Sequence, residues 1–211
     1  MNSYLTLRQD TEAEGIFIDR KSKFIAQLKH VSSEEEAQDY ISHIRTKHYN
    51  ARHNVPAWIL RDGRERQSDD GEPQRTSGMP TLEVLRAENL KDICIVVTRY
   101  FGGTLLGPGG LVRAYTTATQ AAIEDAYKKG YIVEMTRVVC VTLPIEYKNY
   151  DRMLRLAQDC HAKVLKTTFT DHVEIQLLFK EGTQHKFINS SSELLNTKNV
   201  AKVSRPHFDI F

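Results

Sequence analysis

TRYFGGTLLGPGGLVRAY, residues 98–115, decides how this sequence is read, because two kinds of regular structure meet in it. Five of the chain's 11 glycines fall here: Gly102, Gly103, Gly107, Gly109 and Gly110. Upstream, DICIVVTRY (92–100) is apolar at nearly every position, the pattern of a central strand covered on both faces. Downstream, LVRAYTTATQAAIEDAYKKG (111–130) is a helix of about 18 residues closing at Gly130. Ala114, Ala118, Ala121 and Ala122 give that helix a face of small residues that can lie close on a sheet.

The glycines between strand and helix have two readings. They allow a tight turn, or they present backbone N–H groups and a helix N-terminus to an anion. The spacing GGxxxGPGG is neither the dinucleotide GxGxxG nor the triphosphate-binding GxxxxGK[ST], and Pro108 lacks an N–H. Arg99 and Arg113 flank the run and suit bidentate phosphate contacts. Tyr100 and Phe101 suit base stacking.

Working outward, EGIFI (14–18) and KFIAQLKHV (23–31) read as strands joined by a polar connection. Residues 32–48 read as a helix with Ser33 as cap, Glu36 at the capping-box position, and Ala37, Tyr40, Ile41 and Ile44 inward. VPAWIL (55–60) is a strand, 61–80 a long surface loop, and about Thr81 to Glu88 a helix. The rest has another rhythm. Strand 137–145, helix 146–160, a hairpin of 162–170 with 172–180, helix 183–197 and strand 199–206 make the βαββαβ order of a ferredoxin-like domain. The chain therefore divides into residues 1–134 and 135–211.

Composition sets the class. The chain has 211 residues, 40% hydrophobic and 27% charged, as expected of a globular protein with room for two small domains. No apolar run approaches the roughly 20 residues of a membrane helix, and MNSYLTLRQDTEAEG has no apolar signal core. The expectation is a cytoplasmic protein. Cys94, Cys140 and Cys160 are scattered and form no CxxC, so neither a disulfide framework nor a zinc site is indicated, and no cofactor or metal is expected. The net charge is only +2, so any nucleic-acid contact must use a local patch. Residues 1–135 carry 18 Lys+Arg against 19 Asp+Glu, and residues 136–211 carry 11 against 8.

Two further clusters can carry chemistry. SDDGEP (68–73) places Asp69, Asp70 and Glu72 around a glycine, a pattern open to a hard cation, a basic partner or a solvated turn. HYNARHN (48–54) supplies His48, His53 and Asn54. Ser68 or Ser77 could serve a histidine as nucleophile, but no GxSxG elbow is present and a hydrogen-bonded structural histidine is the simpler reading.

DRKSKF (19–24), RHN (52–54), SDDGEP (68–73), TSGMP (76–80) and VTRYFGGTLLGPGGLVRAY (97–115) together resemble the IMPACT/YigZ family over about residues 10–130. The chain is similar in layout to bacterial members. The resemblance implies an α+β protein. Its N-terminal α/β sandwich is like the second domain of a small-subunit ribosomal protein and domain four of elongation factor G. Its C-terminal domain is like domain five of that factor. Eukaryotic members regulate translation by competing for the activator of a stress kinase, and that inhibitory activity is not carried over to this layout. For bacterial members the resemblance implies nucleic-acid or ribosome binding. One departure from the family pattern is Arg75, where a glycine usually stands in EPxGT.

The function expected is therefore a non-enzymatic RNA- or ribosome-binding protein that regulates translation. Its candidate contacts are Arg99, Tyr100, Gly102, Gly103, Gly107, Gly109, Gly110, Arg113, His53, Asn54, Asp69, Asp70 and Glu72. Two alternatives stay open. One is a magnesium-dependent enzyme acting on a phosphorylated small molecule or nucleotide, with Asp69, Asp70 and Glu72 as ligands or bases. The other is a module that binds a protein partner.

Overall fold

Strand β1 (Ser3–Leu7) and the antiparallel pair β2 (Glu12–Asp19) and β3 (Ser22–His30) open the chain in this computed structural model, which describes residues 2–196 and 201–211. They are followed by α1 (Glu34–Lys47), β4 (His53–Ile59), β5 (Glu65–Gln67), α2 (Gly78–Ala87), β6 (Ile93–Tyr100) and α3 (Gly107–Lys128). Next come β7 (Ile132–Ile145), α4 (Tyr150–Asp159), β8 (Lys163–Phe169), β9 (Val173–Lys180), α5 (Gln184–Leu195), β10 (Lys202–Val203) and β11 (His207–Ile210). The chain separates into two compact units, Tyr4–Val133 and Glu134–Phe211, with Ser3 grouped in the latter.

The first unit is built on a five-stranded sheet in the order β2-β3-β6-β4-β5, antiparallel throughout. β6 is its middle strand, and both its faces are covered. On one side Ile93, Ile95 and Val97 pack with α2 and α3. On the other Cys94 and Val96 pack with Ala37, Tyr40, Ile41 and Ile44 of α1. This two-sided burial is why 92–100 shows no polar alternation. α1 is capped as expected, with the Glu36 N–H donating to Ser33 Oγ at 3.2 Å, while the Glu36 carboxylate accepts from the Ser32 N–H at 2.7 Å.

The Ala face of α3 lies on β2 so closely that Gly15 has no room for a side chain. α3 ends in a Schellman turn: Gly130 has φ 67°, its N–H donates to the Tyr127 carbonyl, and the Tyr131 N–H donates to the Ala126 carbonyl.

Several boundaries differ from the sequence reading. The 61–80 stretch is not one loop. It contains β5, a short edge strand paired with β4, and α2 begins at Gly78 rather than Thr81. α3 starts at Gly107, four residues ahead of Leu111, because Pro108 occupies its first turn, where a missing N–H costs nothing. Gly109 and Gly110 are thus helical residues rather than loop residues, while Gly107, with φ 72°, is the turn residue on which the helix opens. β1 was not expected at all.

In the second unit β7, β9 and β8 are neighbours in that order, and β10 and β11 pair with β7 along its other edge. All these pairs are antiparallel. Val139, Val141, Leu143 and Ile145 of β7 and Val173, Ile175, Leu177 and Phe179 of β9 point to one face. Met153 and Ala157 of α4 and Phe187 of α5 cover that face. Of the expected final strand, β10 falls within 199–206, and β11 follows beyond it. Thr197, at the end of the expected helix, and Asn199 and Val200, at the start of the expected strand, lie outside the described residues.

Candidate functional site

The β2–β3 connection has two residues, Arg20 and Lys21, with φ 45° and 65°. Such hairpin turns usually take Asn-Gly, so two basic residues here hold a left-handed backbone at some cost. The turn is tied down on two sides. Arg20 Nη1 donates to the Leu105 carbonyl at 3.2 Å, and Arg113 Nη2 donates to Asp19 Oδ2 at 2.9 Å. Gly102 meets the turn directly: its N–H donates to Ser22 Oγ at 3.1 Å, and a β-carbon on it would lie 2.1 Å from the Lys21 carbonyl carbon. Gly103 and Gly107 have φ 85° and 72°. These three glycines are needed to bend the chain between β6 and α3.

The 68–80 segment is organised by Asp69. Its carboxylate accepts from the Arg75 N–H at 2.8 Å, the Ser77 hydroxyl at 2.7 Å, the Gly78 N–H at 2.9 Å and the Ser77 N–H at 3.2 Å. Burial alone would raise its pKa, but these donors outweigh burial and hold it below the usual carboxylate range. Asp70 is equally committed. It accepts from Arg45 Nη2 at 2.7 Å and from the Asn54 N–H at 2.7 Å. The Asn54 side chain accepts from Thr98 Oγ1 at 2.7 Å.

Arg75 has φ 62°. The place that resembles a family glycine therefore keeps a glycine-type conformation while carrying arginine. Arg75→Gly is expected to raise stability by about 0.5–1 kcal/mol, since the left-handed penalty exceeds the added freedom of the unfolded chain. Arg75→Ala should give no such gain. Thermal melts of the two variants check this; a lower midpoint for Arg75→Gly would contradict it.

Glu72, between these anchors, turns inward. Its side chain is 3% exposed. Oε1 accepts from Arg99 Nη1 at 2.6 Å and from the Tyr115 hydroxyl at 2.9 Å. Burial and the adjacent Glu72 carboxylate push the Tyr115 phenol well above its usual pKa, so it stays a donor. Oε2 lies 3.8 Å from His53 Nε2. His53 Nδ1 is 2.7 Å from the Asp70 carbonyl, which can only accept, so Nδ1 donates there and Nε2 faces Glu72.

Above this polar floor lies a cleft of about 300 Å³. Arg52, His53, Gly71, Glu72, Pro73, Arg99, Phe101, Leu105, Leu106, Gly107, Pro108 and Leu111 line it. Phe101 is half-exposed, with the Arg52 guanidinium 5.3 Å and the Arg99 guanidinium 5.6 Å from its ring centroid. The first turn of α3, which has no side-chain cap, forms another wall. Arg99 Nε is buried without a hydrogen-bond partner among the described residues.

The cleft thus brings together His53, Glu72, Arg99 and Gly107 from the sequence candidates, with Gly109 and Gly110 in the adjoining helical turn. It does not include Tyr100. Strand alternation turns that side chain to the α1 face, where its hydroxyl is 2.9 Å from His48 Nδ1. Asp69 is spent inside its own segment, Asp70 on Arg45 and the Asn54 N–H, and Asn54 on Thr98, while Arg113 is ion-paired with Asp19 away from the lining. Arg52 and Tyr115 stand inside the RHN and VTRYFGGTLLGPGGLVRAY motifs but are not among the sequence candidates. Alternation along β6 was the signal that sets Arg99 and Phe101 on one face and Tyr100 on the other.

Comparison with known proteins agrees with the motifs. The Impact N-terminal domain model matches residues 20–123. The IMPACT family member YvyE of Bacillus subtilis is 34% identical over 204 residues, covering 96% of this chain and 91% of that protein. The IMPACT family member YigZ of Escherichia coli is 33% identical over 162 residues, covering 75% of this chain and 78% of that protein. A crystal structure of a hypothetical protein superposes with a TM-score of 0.62 at 27% identity, over 96% of this chain and 97% of that one. The chain belongs to the IMPACT family.

Proposed function

We propose that this protein is a cytoplasmic, non-enzymatic RNA-binding protein that associates with the ribosome and regulates translation, and that the cleft of its first unit is the contact. The observation that carries the reading is Phe101. Its ring is accessible and flanked by two guanidinium groups, and the uncapped N-terminus of a 22-residue helix borders the same cleft. An accessible aromatic face stacks a base, and neighbouring cations and helix N–H groups attract its phosphates. No helix among the described residues is long and apolar enough to cross a membrane.

The folds suit this role. We read residues 1–134 as an α/β sandwich like the second domain of a small-subunit ribosomal protein. We read residues 135–211 as a ferredoxin-like domain like domain five of elongation factor G. The βαββαβ order, and the position of β10 and β11 beside β7, support the second assignment.

The net charge of +2 implies modest affinity that falls with salt. The contact arginine is Arg52, which is exposed; Arg99 is 5% exposed and paired with Glu72, so its removal reports on folding. Phe101→Ala should weaken binding of a labelled single-stranded 12-mer RNA about tenfold, since stacking on an aromatic contributes roughly 1–3 kcal/mol per base. Ribosome co-sedimentation should fall in parallel. Tight RNA binding unchanged by Phe101→Ala and Arg52→Ala would reject the cleft as the contact.

A further inference from the structure

The sheet of the second unit has one face covered by α4 and α5 and a second face that these two helices leave uncovered. Because Val173, Ile175, Leu177 and Phe179 of β9 point into the covered side, Glu174, Gln176, Leu178 and Lys180 point to the other. On that side Val138 and Leu178 are buried, and beside them strand register places a row of side chains whose middle pair, Thr142 and Gln176, is half-buried and whose ends are exposed. Lys202 of β10 pairs with Thr142 of β7, Thr142 with Gln176 of β9, and Gln176 with Lys166 of β8. The row is a lysine at each end with two uncharged hydrogen-bonding side chains between. Three strand steps of about 4.8 Å separate the lysines by about 14 Å.

Lys163, beside Leu178, and Lys180, beside Val138, extend the positive charge on the same face. Their ammonium groups lie 5.1 and 5.2 Å from the ring centroid of Phe211. All four lysines are exposed, and none has an ion pair among the described residues. Glu174, next to this row, and Asp209, which accepts from its neighbour's N–H, are acids on the same face.

We propose that this lysine-bearing face binds a single-stranded RNA segment laid across the strands. The outer lysines meet its phosphates, and Thr142 and Gln176 meet base edges. The chemistry favours RNA over an acidic peptide. Thr and Gln side chains offer both donors and acceptors, as base edges do, whereas a run of carboxylates only accepts. The proposal rests on the reading that the protein binds RNA, and it adds a second contact independent of the cleft.

The test uses the full chain and a labelled 12-mer RNA of mixed sequence, with Kd measured across a salt series. Lys166→Glu/Lys202→Glu removes both ends of the row. Arg155→Glu/Lys186→Glu makes the same charge change at exposed positions of α4 and α5, and melting curves verify that both doubles fold. The first double should bind about tenfold or more weaker at low salt, with the salt slope reduced by about 1.4 from two lost phosphate contacts. The second should stay near wild type. Equal losses in the two doubles, or an unchanged slope in the first, would overturn the proposal while leaving RNA binding in place. Absence of any RNA binding by the wild type would overturn both. Displacement of the RNA by polyglutamate at equal charge concentration would also overturn it, because the face would then be a site for acidic peptides.

Discussion

Gly15→Ala is expected to destabilise the first unit by about 3 kcal/mol or more, the upper end of the range for forcing extra volume into packed structure. The added β-carbon would sit 2.2 Å from the Ala122 nitrogen, 2.6 Å from the Ala121 carbonyl carbon and 2.8 Å from the Ala118 carbonyl oxygen. All three are backbone atoms of α3, so no side chain can rotate away. The helix must lift from β2, and Ala118 and Ala122, now fully buried, would lose their contacts. For a chain of this length the melting midpoint should fall by roughly 6–12 °C. A denaturation curve for the variant checks it. A loss below about 1 kcal/mol would mean that α3 does not pack on β2 this tightly.

The second large effect concerns the floor of the cleft. Glu72→Ala leaves the Arg99 guanidinium, almost wholly buried at the cleft floor, without its ion-pair partner. Breaking a buried pair by removing one partner costs about 3–5 kcal/mol, because an uncompensated charge stays behind. It also strands the Tyr115 hydroxyl, whose bond to Glu72 links β6, the 68–80 segment and α3. Arg99→Leu added to Glu72→Ala should restore part of the loss, since no charge then remains buried. Chemical denaturation of the two single variants and the double gives the coupling. Additive losses would contradict a direct buried pair.

Much of the architecture was legible, and the exceptions have physical causes. The unbroken apolar run at 92–100 gave the middle strand because both of its faces meet helices. Ala114, Ala118, Ala121 and Ala122 announced a helix lying close to a sheet, though not that Gly15 is what they meet. β5 escaped notice because Glu65–Gln67 is three polar residues at a sheet edge, where neither face needs an apolar side chain. β1 was hidden by its short length. In the candidate site, the family motifs supply most of the cleft's lining but do not show which of their side chains face it. The sequence offers Asp69, Asp70 and Glu72 as one group of three carboxylates, yet Asp69 and Asp70 anchor their segment and Glu72 is the one that reaches the cleft. Its partners Arg99 and Tyr115 lie 27 and 43 residues away, so no local pattern could pair them. Tyr100 was grouped with Arg99 as its neighbour in sequence, whereas strand geometry separates adjacent residues to opposite faces.

The proposed RNA contact is tested most directly by ultraviolet cross-linking of the full chain to a 4-thiouridine-containing single-stranded RNA, followed by peptide mapping. The account predicts adducts at Phe101 or in the peptide carrying Arg52, lost in Phe101→Ala at matched protein stability. Adducts confined to other segments of the first unit, or an unchanged pattern in the variant, would contradict it.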